Sequence, residues 1–167
     1  HMHGKKVVIV SSIVANEGKS TVSVNLAMTM ALKHEKVLLI DCDLRKPSCC
    51  ELVEQEEIPY GLCAVLNREV EVYDALIEDR KSGLYMLLET KATQDSDDYL
   101  SSEKMHALLK WARENFDFVV LDLPPMSLVS DAESLMELAD ASVLVVRQNM
   151  AKTSGINKAI SILESGK

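Results

Sequence analysis

Ser11-Ser12-Ile13-Val14-Ala15-Asn16-Glu17-Gly18-Lys19-Ser20-Thr21 joins a β-branched apolar run to an amphipathic segment, and the fold turns on how it is read. The run before it (Val7, Val8, Ile9, Val10) reads as a strand over 6–11 buried on both faces. The segment after it reads as a helix over 18–34. Val22, Leu26 and Met30 recur every four residues as its apolar face, with Ala27 and Ala31 alongside. A strand, a loop and a helix start then follow one another, and N–H groups at a helix start attract phosphate oxygens. The strict phosphate-loop pattern wants glycine five places before Gly18, where this chain has Ile13. The physical parts survive that departure. Gly18 lets the backbone approach a ligand, and Asn16 tolerates a left-handed conformation. Ala15, Asn16, Glu17, Gly18, Lys19, Ser20 and Thr21 are the candidate phosphate-binding residues. Lys19 is placed to bridge terminal phosphates, and the Ser20 hydroxyl to ligate Mg²⁺. A lysine facing such a pocket is expected to add little to the core, so Lys19→Ala should weaken binding and leave the fold intact.

Two further segments place carboxylates at the ends of apolar runs. Asp41 and Asp43 follow Val37-Leu38-Leu39-Ile40 and project to one side if strand geometry persists. Like charges on one side call for a cation between or beside them. Arg45 adds a planar donor for a carboxylate or phosphate. Asp122 follows Phe118-Val119-Val120-Leu121 and precedes Pro124-Pro125, the position from which a strand-end aspartate holds Mg²⁺ directly or through water. Asp131 reads equally as a group that supports a metal-holding residue from behind or as a helix start.

Outward from these segments the chain alternates strand and helix. Buried strands are expected over 36–41, 116–121 and 142–147, a further strand over 84–88, and helices over 102–115 and 153–164. Met105, Leu108, Leu109 and Ala112 form the apolar face of the first helix. Ile156, Ala159, Ile160 and Leu163 form that of the second. The pattern predicts an α/β fold with a mainly parallel central sheet flanked by helices in three layers. Ligands in such sheets bind at the strand carboxyl ends, where all three segments lie. Residues 43–100 are the least regular, and Asp95-Ser96-Asp97-Asp98 reads as a solvated turn.

The chain has 167 residues, 47% hydrophobic and 26% charged, enough for one domain with a real core over 4–167. His1-Met2-His3 reads as an expression remnant. A net charge of -8 argues against nucleic acid as a partner. No apolar run reaches the roughly 18 residues of a membrane helix. Cys42, Cys49, Cys50 and Cys63 show neither zinc-finger spacing nor a Cys-x-x-Cys pair, which implies reduced thiols in a cytosolic setting. Carboxylates on either side of Cys42 disfavour its thiolate. His34 and His106 read as surface helix residues, and Trp111 as packing along its helix.

In these motifs the chain resembles the bacterial tyrosine kinases of capsular and exopolysaccharide assembly, within the deviant Walker A P-loop ATPases. The resemblance runs from about Lys5 to Glu164. It is carried most specifically by Leu38-Leu39-Ile40-Asp41-Cys42-Asp43-Leu44-Arg45-Lys46-Pro47, which matches the second Walker A segment. Glu17 to Thr21 matches the phosphate loop and Asp117 to Pro125 the Walker B segment. Ser130-Asp131-Ala132 and Val143 to Arg147 sit where the family has similar runs. The resemblance implies an ATP- and Mg²⁺-dependent protein-tyrosine (auto)kinase of P-loop NTPase fold. Lys19, Asp43 and Arg45 would be its catalytic residues, with Asp43 as base toward a tyrosine hydroxyl. Ser20, Asp41 and Asp122 would be its metal residues. It further implies a membrane-embedded polysaccharide co-polymerase or chain-length determinant as partner, a homo-oligomer, and a place at the cytoplasmic face of the bacterial membrane.

Several features depart from the family. Ala15-Asn16 stands where Pro-Gly is usual, and Tyr60, Tyr73, Tyr85 and Tyr99 are scattered rather than clustered in a tail. The family usually carries an oligomerisation segment before the first strand and one more strand after the last helix, so this chain is expected to be a domain excised from a longer protein. Two other readings compete: a partitioning-type ATPase switch and a nucleotide-binding scaffold with little catalysis. The switch usually needs a lysine early in the loop, and Ile13-Val14-Ala15 offers none.

Overall fold

Five apolar runs and one short mixed segment pair into one sheet in the computed structural model, which describes residues 7–33, 35–55, 57–128 and 133–165. The strands are β1 (Val7–Ser12), β2 (Val37–Asp41), β3 (Ile77–Asp79), β4 (Leu84–Leu87), β5 (Phe118–Asp122) and β6 (Ala141–Val145). Their order is β3-β4-β2-β5-β1-β6, parallel throughout except that β3 runs antiparallel to β4. The mixed α/β architecture with a mostly parallel sheet is the one the alternating pattern predicted. His1 to His3, His34 and the stretch Ser130-Asp131-Ala132 lie outside the described residues.

Burial on both sides explains why the central strands are almost wholly apolar. Alternation divides them between two cores. Ile9, Leu38, Ile40, Val119 and Leu121 pack with α6 (Glu103–Asn115) and with three short helices, α3 (Leu62–Leu66), α4 (Val72–Ala75) and α5 (Ser96–Leu100). Val10, Val37, Leu39 and Val120 pack with α1 (Lys19–Ala31) and α2 (Cys49–Leu52). Two more helices, α7 (Glu133–Glu137) and α8 (Thr153–Ser165), complete the described chain. Helix α6 starts at Ser102, whose hydroxyl accepts the Met105 N–H at 3.1 Å. It buries Met105, Leu108, Leu109 and Ala112, the face its periodicity predicted.

The structure departs from the sequence reading in four places. In α1 the inward residues are Lys19, Ser20, Ser23, Val24, Ala27 and Ala31, while Val22 is 37% exposed. Small side chains bring the start of this helix close to the sheet, so Val22 turns outward, while Leu26 and Met30 stay partly buried against the core. In α8, Ile160 is exposed and Ile162 packs inward instead. Strand β6 ends the sheet and is only half buried, where a fully buried strand was expected. Asp95-Ser96-Asp97-Asp98 is the start of α5, with Ser96 fully buried. None of the described helices is long and apolar enough to cross a membrane.

Candidate functional site

Strands β1, β2 and β5 end side by side, and this register assembles the site. Asp41 and Asp122 are direct neighbours across β2 and β5, and Val10 sits beside Asp122 on the other side. The Cys42 N–H donates to the Asp122 carbonyl at 3.0 Å, extending the pairing by one residue. Beyond β1 the chain turns through the loop 13–18 into α1. Asn16 (φ 65°) and Gly18 (φ 93°) both take left-handed conformations. A Cβ on Gly18 would meet nothing within 4 Å, so its φ, and not crowding, is what calls for glycine.

Lys19 is the centre of the arrangement. Its Nζ lies 2.7 Å from Asp43 Oδ2, 3.1 Å from Asp122 Oδ2 and 3.1 Å from Ser20 Oγ. Burial lowers the lysine pKa, but the charges of Asp122 and Asp43 outweigh it and hold the value above 10.5. Asp122 is fully buried. Its Oδ2 accepts from Ser20 Oγ at 2.5 Å and its Oδ1 from Ser23 Oγ at 2.8 Å. Asp41 accepts the N–H groups of Ser48 (3.1 Å) and Cys49 (3.0 Å) on one oxygen and that of Asp43 (3.2 Å) on the other. Burial, and then the neighbouring Asp122 charge, push the Asp41 carboxyl up to about 7.

Lys19 is only 7% exposed and compensates two buried carboxylates. The expectation that it adds little to the fold is therefore corrected. Removing one partner of a buried ion pair leaves uncompensated charge.

A cavity of about 270 Å³ opens in front of this centre. Ala15, Asn16, Gly18, Lys19, Ser20, Thr21, Asp43 and Arg45 line it, as the sequence reading grouped them. Lys46 closes one side, with its Nζ 3.1 Å from Asn16 Oδ1. Glu17 is not on the wall. Its carboxylate turns back to accept the N–H groups of Ile13 (2.8 Å), Val14 (2.9 Å) and Arg147 (3.1 Å), bracing the loop from behind. Asp41 and Asp122 also lie behind the wall, with Ser20 between Asp122 and the cavity. Arg45 pairs with Asp97 at 2.8 Å, outside the Lys19 cluster.

Two buried carboxylates, one of them held up near 7, form a donor set suited to a hard divalent cation. Among the described residues, ligand atoms of Asp41, Cys49 and Asp122 all lie within 4.8 Å of one another. Burial, with Asp41 and Asp122, pushes the Cys49 thiol well above its ordinary value, which leaves the oxygens as the ligands for such a cation. Burial and the same two carboxylates act on Cys42 likewise, as its flanking residues implied. All four cysteines are free thiols. Sequence reasoning missed Ser23, Ser48 and Cys49. The only cue to Ser23 was a polar residue one helical turn from Lys19 and Ser20. Ser48 and Cys49 act largely through backbone N–H groups, which carry no residue signature.

Residues 5–166 match the model of a family described as an AAA domain. Tyrosine-protein kinase YwqD of Bacillus subtilis is 35% identical over 162 residues, covering 97% of this chain and 68% of that protein. The chain belongs to the bacterial tyrosine kinase family. The crystal structure of the VpsO kinase domain superposes with a TM-score of 0.89 at 34% identity, covering 96% of this chain and 79% of that one. The Pyrococcus furiosus cell division ATPase MinD, at 24% identity and a TM-score of 0.79, covers 97% of this chain and 68% of its own, and shares the fold. Family membership carries nucleotide binding with it.

Proposed function

We propose that this chain is an ATP-dependent protein-tyrosine (auto)kinase domain that regulates chain length and export in exopolysaccharide or capsule assembly. The observation that carries the reading is Lys19 Nζ held between Asp43 and Asp122 at the mouth of a helix that opens on a cavity. Gly18, Lys19, Ser20 and Thr21 would receive the ATP phosphates on backbone N–H groups and on the lysine. Ser20, Asp41 and Asp122 would hold Mg²⁺, which when bound neutralises charge developing on the transferred phosphoryl group. Phosphates drawing Lys19 forward would release Asp43, whose freed carboxylate then takes the proton of an incoming tyrosine hydroxyl. The rest of the catalysis is positioning and charge stabilisation. In the same reading residues 4–167 form one domain. It works as a homo-oligomer with a membrane-embedded chain-length determinant, at the cytoplasmic face of the membrane.

Incubation with Mg-ATP and phosphotyrosine immunodetection tests this. The expected result is a signal that disappears in Lys19→Ala and Asp43→Asn. Phosphate release without protein phosphorylation would instead identify an ATPase switch, and tight ATP binding with neither would identify a scaffold.

A further inference from the structure

Arg45 and Asp97 form a half-made pair at the rim of the cavity. Arg45 Nη2 donates to Asp97 Oδ2 at 2.8 Å. A side-on guanidinium–carboxylate fork would also join Nε to the second oxygen. Here Arg45 Nε and Asp97 Oδ1 are both buried without a partner, and so is the Oγ of the adjacent Ser96. Buried polar atoms left unpaired are a free-energy penalty that calls for a structural or functional reason. The two side chains are each about one-third exposed, so either can exchange partners without unfolding anything. The backbone around them is fixed. The Thr93 N–H donates to the Leu44 carbonyl at 2.8 Å and ties the segment before α5 to the loop that carries Asp43 and Arg45. Arg45 also lines the cavity with Lys19 and Asp43, so its guanidinium lies between two claimants: a carboxylate it holds by one nitrogen, and the space in front of Lys19.

We infer that Asp97 is a positioning residue that competes with the terminal phosphate of a bound nucleoside triphosphate for Arg45. This rests on the nucleotide reading of the cavity. While docked on Asp97, Arg45 is withheld from the ligand. The arriving terminal phosphate offers several oxygens to both orphaned and engaged nitrogens. A group docked away nine-tenths of the time weakens apparent affinity about tenfold, and removing its competitor restores it. Asp97 is itself two-thirds buried, which keeps its charge effective at short range.

Titration calorimetry of this chain with Mg²⁺ plus a non-hydrolysable ATP analogue, and with Mg-ADP, tests the inference. Asp97→Ala and the near-isosteric Asp97→Asn are expected to tighten the analogue about 3- to 10-fold and to leave ADP within about twofold. Adding Arg45→Gln should erase the gain, and Asp97→Glu should return affinity to the wild-type value. A merely structural Asp97 would give weaker binding and a lower unfolding midpoint, which overturns the inference. Unchanged affinity for the analogue overturns it as well, as does equal tightening of ADP. Wild-type protein that binds neither nucleotide overturns the reading of the cavity together with the inference, and so separates the two failures.

Discussion

Helices α1 and α6 have the same length and cover opposite sides of one sheet, yet they are built on different rules. Helix α6 buries Met105, Leu108, Leu109 and Ala112, and its stabilising contribution is hydrophobic. The first turns of α1 bury Lys19, Ser20 and Ser23, which contact Asp122 by a salt bridge and hydrogen bonds. Only its second half, with Val24, Ala27 and Ala31, packs as an ordinary core helix. A helix that holds a charged site against a sheet gives up hydrophobic burial at that end. Its stability then depends on charge balance.

The sharpest way to break that comparison is to truncate one inward side chain on each helix. Lys19→Ala leaves Asp122 and Asp43 without their cation and should cost about 3–5 kcal/mol of unfolding free energy. Leu109→Ala opens an apolar cavity and should cost about 2–5 kcal/mol. The two losses respond differently to pH. Acidification protonates the stranded carboxylates and should recover much of the Lys19→Ala deficit, while the Leu109→Ala deficit stays constant across the same range. Urea unfolding of both variants at two pH values reads this directly, and a Lys19→Ala deficit that does not change with pH would refute it.

A smaller effect is expected in the wild-type protein. Asp41 is held up to about 7 against an ordinary value of 3.8, by burial first and then by Asp122, with Asp43 adding to it and Lys19 opposing. The folded state therefore binds the Asp41 proton more tightly than the unfolded chain does. Stability should be highest below about pH 4 as far as this group is concerned, and should fall as pH rises toward about 7. Asp79, held below its ordinary value by the Ser82 hydroxyl, acts oppositely and only at lower pH, outside that window. The drop should flatten when Mg²⁺ is added at millimolar concentration, because a cation beside Asp41 and Asp122 favours their ionised forms. Thermal unfolding across the window, with and without Mg²⁺, measures both slopes. A wild-type curve that rises over this range would contradict the geometry.

Much of this was legible in the sequence because the central strands are continuous apolar runs ending in charged residues. The runs before Asp41 and Asp122 could be read as strands and their ends as a site, since Val37 to Ile40 and Val119 to Leu121 admit little else. Residues 43–100 were not legible for a physical reason. Helices α2, α3, α4 and α5 have four or five residues each, too short to show periodicity or to form alone, and long-range contacts hold them. Asp97 looked solvated because its neighbours are acidic and polar, and its partner Arg45 lies 52 residues away. Glu17 sat inside the motif, but its side chain answers to Ile13, Val14 and Arg147 behind the loop.

The misread face of α1 gives the smallest and most specific test. Periodicity assigned Val22, Leu26 and Met30 to the inward face, with Ala27 and Ala31 alongside. The structure turns Val22 out, keeps Leu26 and Met30 partly buried and seats Ala27 and Ala31 fully in the core. Val22→Ser should then shift stability by no more than about 0.5 kcal/mol, as exposed positions do. Ala27→Leu adds volume where Val10, Leu39 and Val120 already share the core, and should cost about 1–3 kcal/mol from overpacking. If the apolar period had set the orientation, Val22 would be central to the buried face and Ala27 at its edge. Val22→Ser would then bury a hydroxyl at a cost, and Ala27→Leu would cost less than it does against the sheet. The two orientations differ by a rotation of the helix about its axis. That rotation would also carry Ser23 off Asp122, so the same pair of variants tests whether the sheet side of α1 is set by the site or by hydrophobic bulk.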